Sequence, residues 1–206
     1  MGDYKIYYND SRILLTSDSA QMNKNFGKVF TSEEETKEFF SNPAALFDGK
    51  TNLDILVICY QPEELLKRLM KNLQLVRAGG GIVWNENNEL LMIYRRGKWD
   101  LAKGKIELNE NIVDGAVREV EEETGVKIEQ VDAEPIHTYH AYKLKGKNSL
   151  KETSWYEMKA LSGQKKLVPQ TEEDIEEVRW VKRTELKNYE RACYPLIWDL
   201  IKGFQL

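Results

Sequence analysis

The sequence predicts an α/β fold with a mixed sheet, from three observations. Apolar runs of strand length alternate with helical stretches along most of the chain. One helix, residues 112–124, carries its apolar residues at helical spacing in Ile112, Val113, Ala116, Val117 and Val120. A second closes the chain, with Pro195 near its start, Gly203 near its end and a stripe of Leu196, Ile197, Leu200 and Ile201. With 206 residues and 41% hydrophobic content, the chain can bury a real core in one large domain or two small ones.

The character of the sequence changes near Val76, dividing it into residues 1–76 and 77–206. In the first segment, residues 4–8 and 12–16 read as a hairpin around Asn9-Asp10. Ser32 followed by Glu35 is a capping-box signal for a short helix through Phe40. Residues 53–60 form an apolar run of strand length. Pro62 then opens a helix with Leu65, Leu66, Leu69, Met70 and Leu73 on one face. The segment reads as a small ββαβα unit without catalytic signals, and a structural role, a homodimer contact or partner docking is expected of it, because so small a unit must cover its apolar faces.

In the second segment, Gly79-Gly80-Gly81 leads into residues 82–84, a turn at 85–88 and a strand at 90–94. These glycines allow either close approach to another group or tight internal packing. Residues 135–143 and 153–160 read as paired strands across a loop at 145–148, and residues 177–181 as a further strand.

Composition excludes several functions. A net charge of −4 argues against a general nucleic-acid binder, which needs an extended basic surface. Cys59 and Cys193 make no metal spacing. There is no signal peptide at the start, no apolar run long enough to cross a bilayer, and Ile6 stands where a myristoylation motif needs Ser or Thr. A cytoplasmic protein with no membrane partner is expected.

Chemistry concentrates between Gly104 and Val126. Glu119, Glu122 and Glu123 lie at i, i+3 and i+4 of the helix, so their carboxylates share a face and repel one another. Such crowding is sensible if a cation sits among them; hard ions such as Mg²⁺ take oxygen ligands and bridge carboxylates to substrate phosphates. A run that also includes Glu121 would by itself read as a solvated acidic face, but solvation would not fix the rest of the frame. Gly104, Glu110, Arg118, Glu119, Val120, Glu122, Glu123, Gly125 and Val126 fill every fixed position of a known signature, a match with a chance probability on the order of 10⁻⁹ per starting position at average residue usage.

This frame resembles the Nudix box. The resemblance implies an α/β/α sandwich over residues 77–206 and a hydrolase that uses Mg²⁺ or Mn²⁺ to cleave diphosphate linkages. Glu119, Glu122 and Glu123, with Gly104, are the metal-site positions it implies. Arg118 would hold a neighbouring carboxylate through charge-assisted bonds. The general base would be a box glutamate or an acid of a downstream loop, here Glu173 or Asp174.

Upstream of the box, Arg95, Arg96, Lys98, Lys103 and Lys105 make a positive basin suited to a polyanion, with Arg95, Lys103 and Lys105 as candidate phosphate contacts. Trp99 and Tyr156, like Tyr139 and Trp155, are candidates for stacking on a base. His137 and His140, at i, i+3 on a strand, face opposite ways and make no metal pair. Trp99 followed by Lys103-Gly104-Lys105 and Ile106-Glu107 resembles the Nudix branch of diadenosine polyphosphate hydrolases and diphosphoinositol polyphosphate phosphohydrolases, with Ala102 where that branch usually has Pro. The expected substrate is therefore a small polyphosphate, dinucleoside polyphosphates or diphosphoinositols before nucleoside triphosphates. ADP-ribose or nucleotide-sugar cleavage and removal of pyrophosphate from RNA ends are alternatives within the class. A non-catalytic ligand sensor or scaffold is the alternative outside it.

Overall fold

The computed structural model describes residues 2–8, 11–32, 34–36, 54–164 and 166–204. The chain forms two compact units, Met1–Val76 with Tyr139–Glu152, and Arg77–Thr138 with Thr153–Leu206.

In the first unit, β1 (Tyr4–Tyr8) and β2 (Ser11–Thr16) pair antiparallel with Ile6 opposite Ile13; their Asn9-Asp10 turn lies outside the described residues. A 3-10 turn, Ser19–Asn23, follows, capped by the Asp18 side chain. Two short strands, β3 (Lys28–Phe30) and β4 (Ile55–Ile58), run parallel to each other, and β4 also runs parallel to β2. The three residues of β3 carry too little apolar pattern to announce a strand in the sequence. Ser32 and Glu35 form the expected capping box, the Glu35 amide donating to Ser32 Oγ at 3.1 Å and the Ser32 amide to Glu35 Oε2 at 3.2 Å; the helix expected to run to Phe40 lies mostly outside the described residues. Helix α1 (Pro62–Asn72) starts on its proline and buries Leu65, Leu66 and Leu69 against Ile6, Ile13, Leu15, Phe30 and Val57.

Residues 139–152, which the sequence placed with the second segment, group with the first unit. The cause is local pairing. Tyr139 and His140 ladder in parallel with Ile6 and Tyr7, and Tyr139, Ala141 and Leu150 join the first unit's core. These residues are the tip of a long hairpin, β10 (Ile136–Leu144) and β11 (Lys147–Ala160), turned by Lys145 and Gly146, both at positive φ.

The second unit is built on β5 (Gln74–Trp84), β6 (Glu89–Arg95), β11 and β12 (Ile175–Lys182), in the order β12-β6-β5-β11. Three short strands join this sheet: β7 (Lys98–Asp100) on β6, β8 (Lys103–Lys105) on β5, and β9 (Ile128–Val131) on β11. Side chains alternate between faces. Ile82, Leu90, Met92 and Trp155 face one core with α3 (Pro195–Ile201), whose Ile197, Leu200 and Ile201 pack there. Val83, Leu91, Ile93 and Tyr156 face the other with α2 (Ile112–Thr124), through Ala116 and Val120. The unit is an α/β/α sandwich. A Cβ on Gly79 would lie 2.9 Å from Ala116 Cβ and one on Gly81 2.7 Å from Val120 Cγ2, so these two glycines serve the close seating of α2 on the sheet. No helix among the described residues is long and apolar enough to cross a membrane.

Candidate active site

Helix α2 is well delimited by its own sequence. Asn111 caps its start, its side chain accepting from the Val113 amide, and Gly125 ends it at φ 73° in the left-handed region that favours glycine. Between these caps the helix presents Arg118, Glu119 and Glu122 away from the core that buries Ala116 and Val120.

Arg118 is the hub of this surface. Its Nε and Nη2 donate to Glu110 Oε1 and Oε2 at 2.7 and 3.0 Å, and Nη1 donates to Glu119 Oε1 at 2.8 Å and Glu122 Oε2 at 2.9 Å. Nη2 also reaches the Lys105 carbonyl at 3.3 Å. One guanidinium thus gathers three carboxylates, where the sequence suggested a single one; its planar fork makes this possible and an ammonium could not reproduce it. These bonds hold the Glu110 carboxyl down at about 2, the Arg118 contact being the main cause and the Glu107 amide the second. Glu119 moves the other way: partial burial raises its pKa despite Arg118, with the charges of Glu122 and Glu173 adding to the rise.

Gly104 exists for Glu119. A Cβ at this position would stand 1.8 Å from Glu119 Oε2, a distance no structure tolerates, so the carboxylate occupies the space a side chain would take. Gly104→Ala is therefore expected to swing the Glu119 carboxylate out of its seat at small cost to folding, since only the far end of a flexible side chain must move, read as loss of activity with a melting temperature close to wild type.

A second cluster sits beside the first and was not foreseen as one. Asp100, buried, accepts from Arg95 Nε at 3.2 Å, Lys103 Nζ at 2.6 Å and the Leu101 amide at 2.8 Å. Burial opposes its charge, but Lys103 and Arg95 outweigh burial and hold its pKa below the carboxylate range. Glu123 lies in the same cluster, 1% exposed, accepting from the Lys103 amide at 2.9 Å with Arg95 Nη1 at 3.7 Å. Burial dominates here and pushes its pKa up to about 7 in spite of the two cations. The signal for Asp100 was an acid between Trp99 and Leu101 inside a basic loop.

The structure places several of the expected site residues in buried pairs or in a core. Arg95 and Lys103, proposed as phosphate contacts, point inward at Asp100 and Glu123, whereas Lys105 is exposed. Trp99 and Tyr156, proposed to stack on a base, are 8% and 5% exposed. Trp99 packs against Tyr94 and Tyr189 in one core, with the Arg179 guanidinium 5.0 Å from its ring centroid, and Tyr156 lies in the other core. Large aromatic rings on strands stabilise a sandwich more by burial than they could by waiting for a ligand. Glu123 is engaged by the Lys103 amide and by Arg95, and among the described residues no three acidic, His or Cys groups converge on a metal-binding point.

The donors nevertheless suit a divalent cation in kind. Glu119 and Glu122 offer carboxylate oxygens of the type a hard ion takes, and the glycine at 104 brings backbone against the Glu119 carboxylate. Downstream, the two candidate acids part company. Glu173, exposed at the end of a 3-10 turn (Thr171–Glu173), lies two residues before Ile175, which pairs with Arg95, in a turn whose Gln170 amide donates to the Glu123 carbonyl at 3.2 Å. Asp174 turns instead to Arg96, accepting from Nε and Nη2 at 3.1 and 2.9 Å.

Residues 74–197 match the family model of the NUDIX domain. The chain belongs to the NUDIX family. Within it, the chain is similar to Nudix hydrolase 8 of Arabidopsis thaliana, 37% identical over 82 residues that make up 36% of this chain and 22% of that protein's length. Among solved structures, a MutT protein from Methanosarcina mazei Go1 is 21% identical, with a TM-score of 0.48 over 64% of this chain and 93% of that one. An Ap4A hydrolase of C. elegans, solved as a binary complex, is 19% identical, with a TM-score of 0.46 over 63% and 94% of the two chains.

Proposed function

We propose that this NUDIX chain is a metal-dependent hydrolase that cleaves a diphosphate linkage in a small polyphosphate. The observation that carries the reading is the Arg118 hub: Glu119 and Glu122 are held together and oriented on one helix face, with a glycine reserved for one of them. A non-catalytic sensor has no need to maintain so many carboxylates at such mutual cost.

Glu119 and Glu122 would hold the Mg²⁺ or Mn²⁺, with Glu123 joining them once its bond to the Lys103 amide is exchanged. The bound ion supplies charge neutralisation on phosphate oxygens and lowers the pKa of the attacking water. Arg118 keeps the carboxylates oriented. Glu173 is the better general base of the two downstream acids, since Asp174 is engaged by Arg96. It would take the proton from water as the oxygen bonds to phosphorus, and the bridging P–O bond breaks with the leaving phosphate carrying the electron pair. Dinucleoside polyphosphates and diphosphoinositols remain the preferred substrates. With Trp99 and Tyr156 buried, recognition by charge is favoured over recognition by a stacked base, and exposed Lys105, next to Gly104, is a candidate for it.

The test is a product-resolved screen with Mg²⁺ and Mn²⁺ over dinucleoside polyphosphates, diphosphoinositols, nucleoside triphosphates and diphosphates, nucleotide sugars, ADP-ribose and pyrophosphate-capped RNA. Turnover of one class that Glu122→Gln removes supports the hydrolase; folded protein that binds ligands and cleaves none moves the reading to a sensor. A cytoplasmic location and a homodimer formed through the first unit belong to the same proposal. Light scattering on the full chain should give twice the 24.0 kDa of one copy, and a mass of one copy sinks the dimer. Deleting residues 1–76 would be a poor test, since it strips the core partners from Tyr139, Ala141 and Leu150.

A further inference from the structure

The turn that carries Glu173 is held at both ends. On one side the Gln170 amide donates to the Glu123 carbonyl at 3.2 Å, tying the turn to the last residues of α2. On the other, Asp174 accepts both hydrogen bonds from Arg96, which sits at the tip of the β6–β7 hairpin. Glu173 lies between these two anchors, and its own amide closes the turn on the Gln170 carbonyl at 3.1 Å.

The second anchor is hard to explain by stability. Arg96 has φ 52°, a left-handed conformation that costs free energy for such a side chain, whereas Asp174, at φ 60°, is of a type that tolerates it. Arg96 and Gly97 are both at positive φ between paired Arg95 and Lys98, a two-residue turn whose first position favours Asn, Asp or Gly, and an arginine there is a poor choice for the turn. The pair is also largely open to solvent, with side chains 66% and 62% exposed, and exposed pairs contribute little to folding. What the pair does accomplish is geometric. Ile175, next to Asp174, pairs with Arg95, next to Arg96, so the clasp adds a side-chain tie where the β6–β12 ladder ends, with its register shifted between Ile175 and Glu177.

We infer that the Arg96–Asp174 clasp is a positioning device for hydrolysis, fixing the 3-10 turn that carries Glu173 beside the Arg95 end of β6 and the end of α2. This rests on the hydrolase reading above. Arg96 and Asp174 act through Glu173 and touch no reacting atom. Their effect belongs in kcat, because a mispositioned base slows the chemical step without changing how substrate is held.

The experiment is a charge-swap cycle on the full chain, assayed on whichever substrate the screen identifies. Arg96→Asp and Asp174→Arg should each lower kcat by about tenfold with KM within about twofold, and the double variant should recover most of the loss. Both exchanged residues are tolerable where they land, since Asp accepts a left-handed backbone and Arg already adopts one at 96. In a Glu173→Gln background, Arg96→Asp should cost nothing more. Hydrogen exchange at the Glu173 and Asp174 amides, both bonded within the turn, should quicken in Arg96→Asp and slow again in the swap. A change in KM alone would make Arg96 a substrate contact and overturn the proposal. Losses that multiply with Glu173→Gln, or faster exchange with unchanged kcat, would reduce the clasp to a structural tie. Absence of wild-type turnover on every substrate would sink the hydrolase reading and the clasp's role with it, whereas wild-type turnover unaffected by the clasp variants sinks the clasp alone.

Discussion

Glu119→Gln is expected to reduce metal-dependent turnover by about 10²–10³-fold, the usual scale for removing one preorganised charge from a site where charge develops, while leaving the melting temperature close to wild type. The physical basis is the unequal standing of the carboxylates. Glu119 is partly buried, bonded to Arg118 Nη1 at 2.8 Å and seated in the space vacated by the missing Gly104 side chain. A glutamine fills the same volume and can still accept from Arg118, so folding should be spared. It removes the negative charge, however, and with it the attraction for a divalent ion. Turnover and Mg²⁺ affinity should therefore fall together, measured by steady-state assay and by calorimetric titration of the metal. Retained turnover with unchanged metal affinity would remove Glu119 from the metal site. Glu110→Gln provides the contrast. It loses charge on the far side of Arg118, so it should loosen the hub and weaken activity more mildly.

Glu123→Gln should produce the largest change in stability, and of opposite sign to most core substitutions. With a native pKa near 7 against an ordinary carboxylate value of about 4.3 in the unfolded chain, the folded protein binds this proton more tightly than the unfolded one. Glu123 therefore stabilises the fold most below the unfolded pKa, and that contribution is lost as pH rises from about 4.3 through 7. The difference amounts to about 4 kcal/mol at 1.36 kcal/mol per unit. In the presence of a chelator, Glu123→Gln should equal wild type near pH 4 and exceed it by up to that amount at pH 8, measured by denaturant titration at both values. Glu110, with its pKa lowered to about 2, has the opposite dependence, losing its contribution as pH falls below about 4. Comparing variant with wild type at each pH cancels it. A variant no more stable than wild type at pH 8 would mean that Arg95 and Lys103 fully offset the buried charge. Added Mg²⁺ should reverse the order if Glu123 joins the metal site, because the wild-type carboxylate then gains a partner that glutamine lacks.

Both expectations depend on the same feature of the fold. Three glutamates of one helix turn lie in different environments: Glu119 in a glycine-lined seat, Glu122 at the open rim on Arg118, and Glu123 buried against the loop that carries Asp100 and Lys103. Burial raises the pKa of both Glu119 and Glu123, because the sheet covers one flank of the helix and leaves the other to solvent.

Local rules made a large part of this protein legible from its sequence. Helical spacing at Ile112, Ala116 and Val120 and the stop at Gly125 define α2, because periodicity and backbone preference act over a few residues. Apolar runs at residues 82–84 and 90–94 mark strands buried on both faces, and the fixed residues from Gly104 to Val126 reveal the family. What the sequence left open are relations between distant segments. Short strands such as β3, β7 and β8 are stabilised by the neighbour they pair with and carry little pattern of their own. The hairpin tip at 139–152 joins the first unit only because Tyr139 and His140 find Ile6 and Tyr7 across more than 130 residues of chain. Trp99, Tyr156, Arg95 and Lys103 were readable as aromatic or basic, but whether they meet solvent or a core is settled by packing. Asp100 turns Arg95 and Lys103 inward, and Arg96 chooses between the two downstream acids by taking Asp174. Composition and spacing thus determined the chemistry available to the chain; the tertiary structure decided which charges meet, since Coulomb energy and desolvation depend on distances and burial that no linear spacing contains.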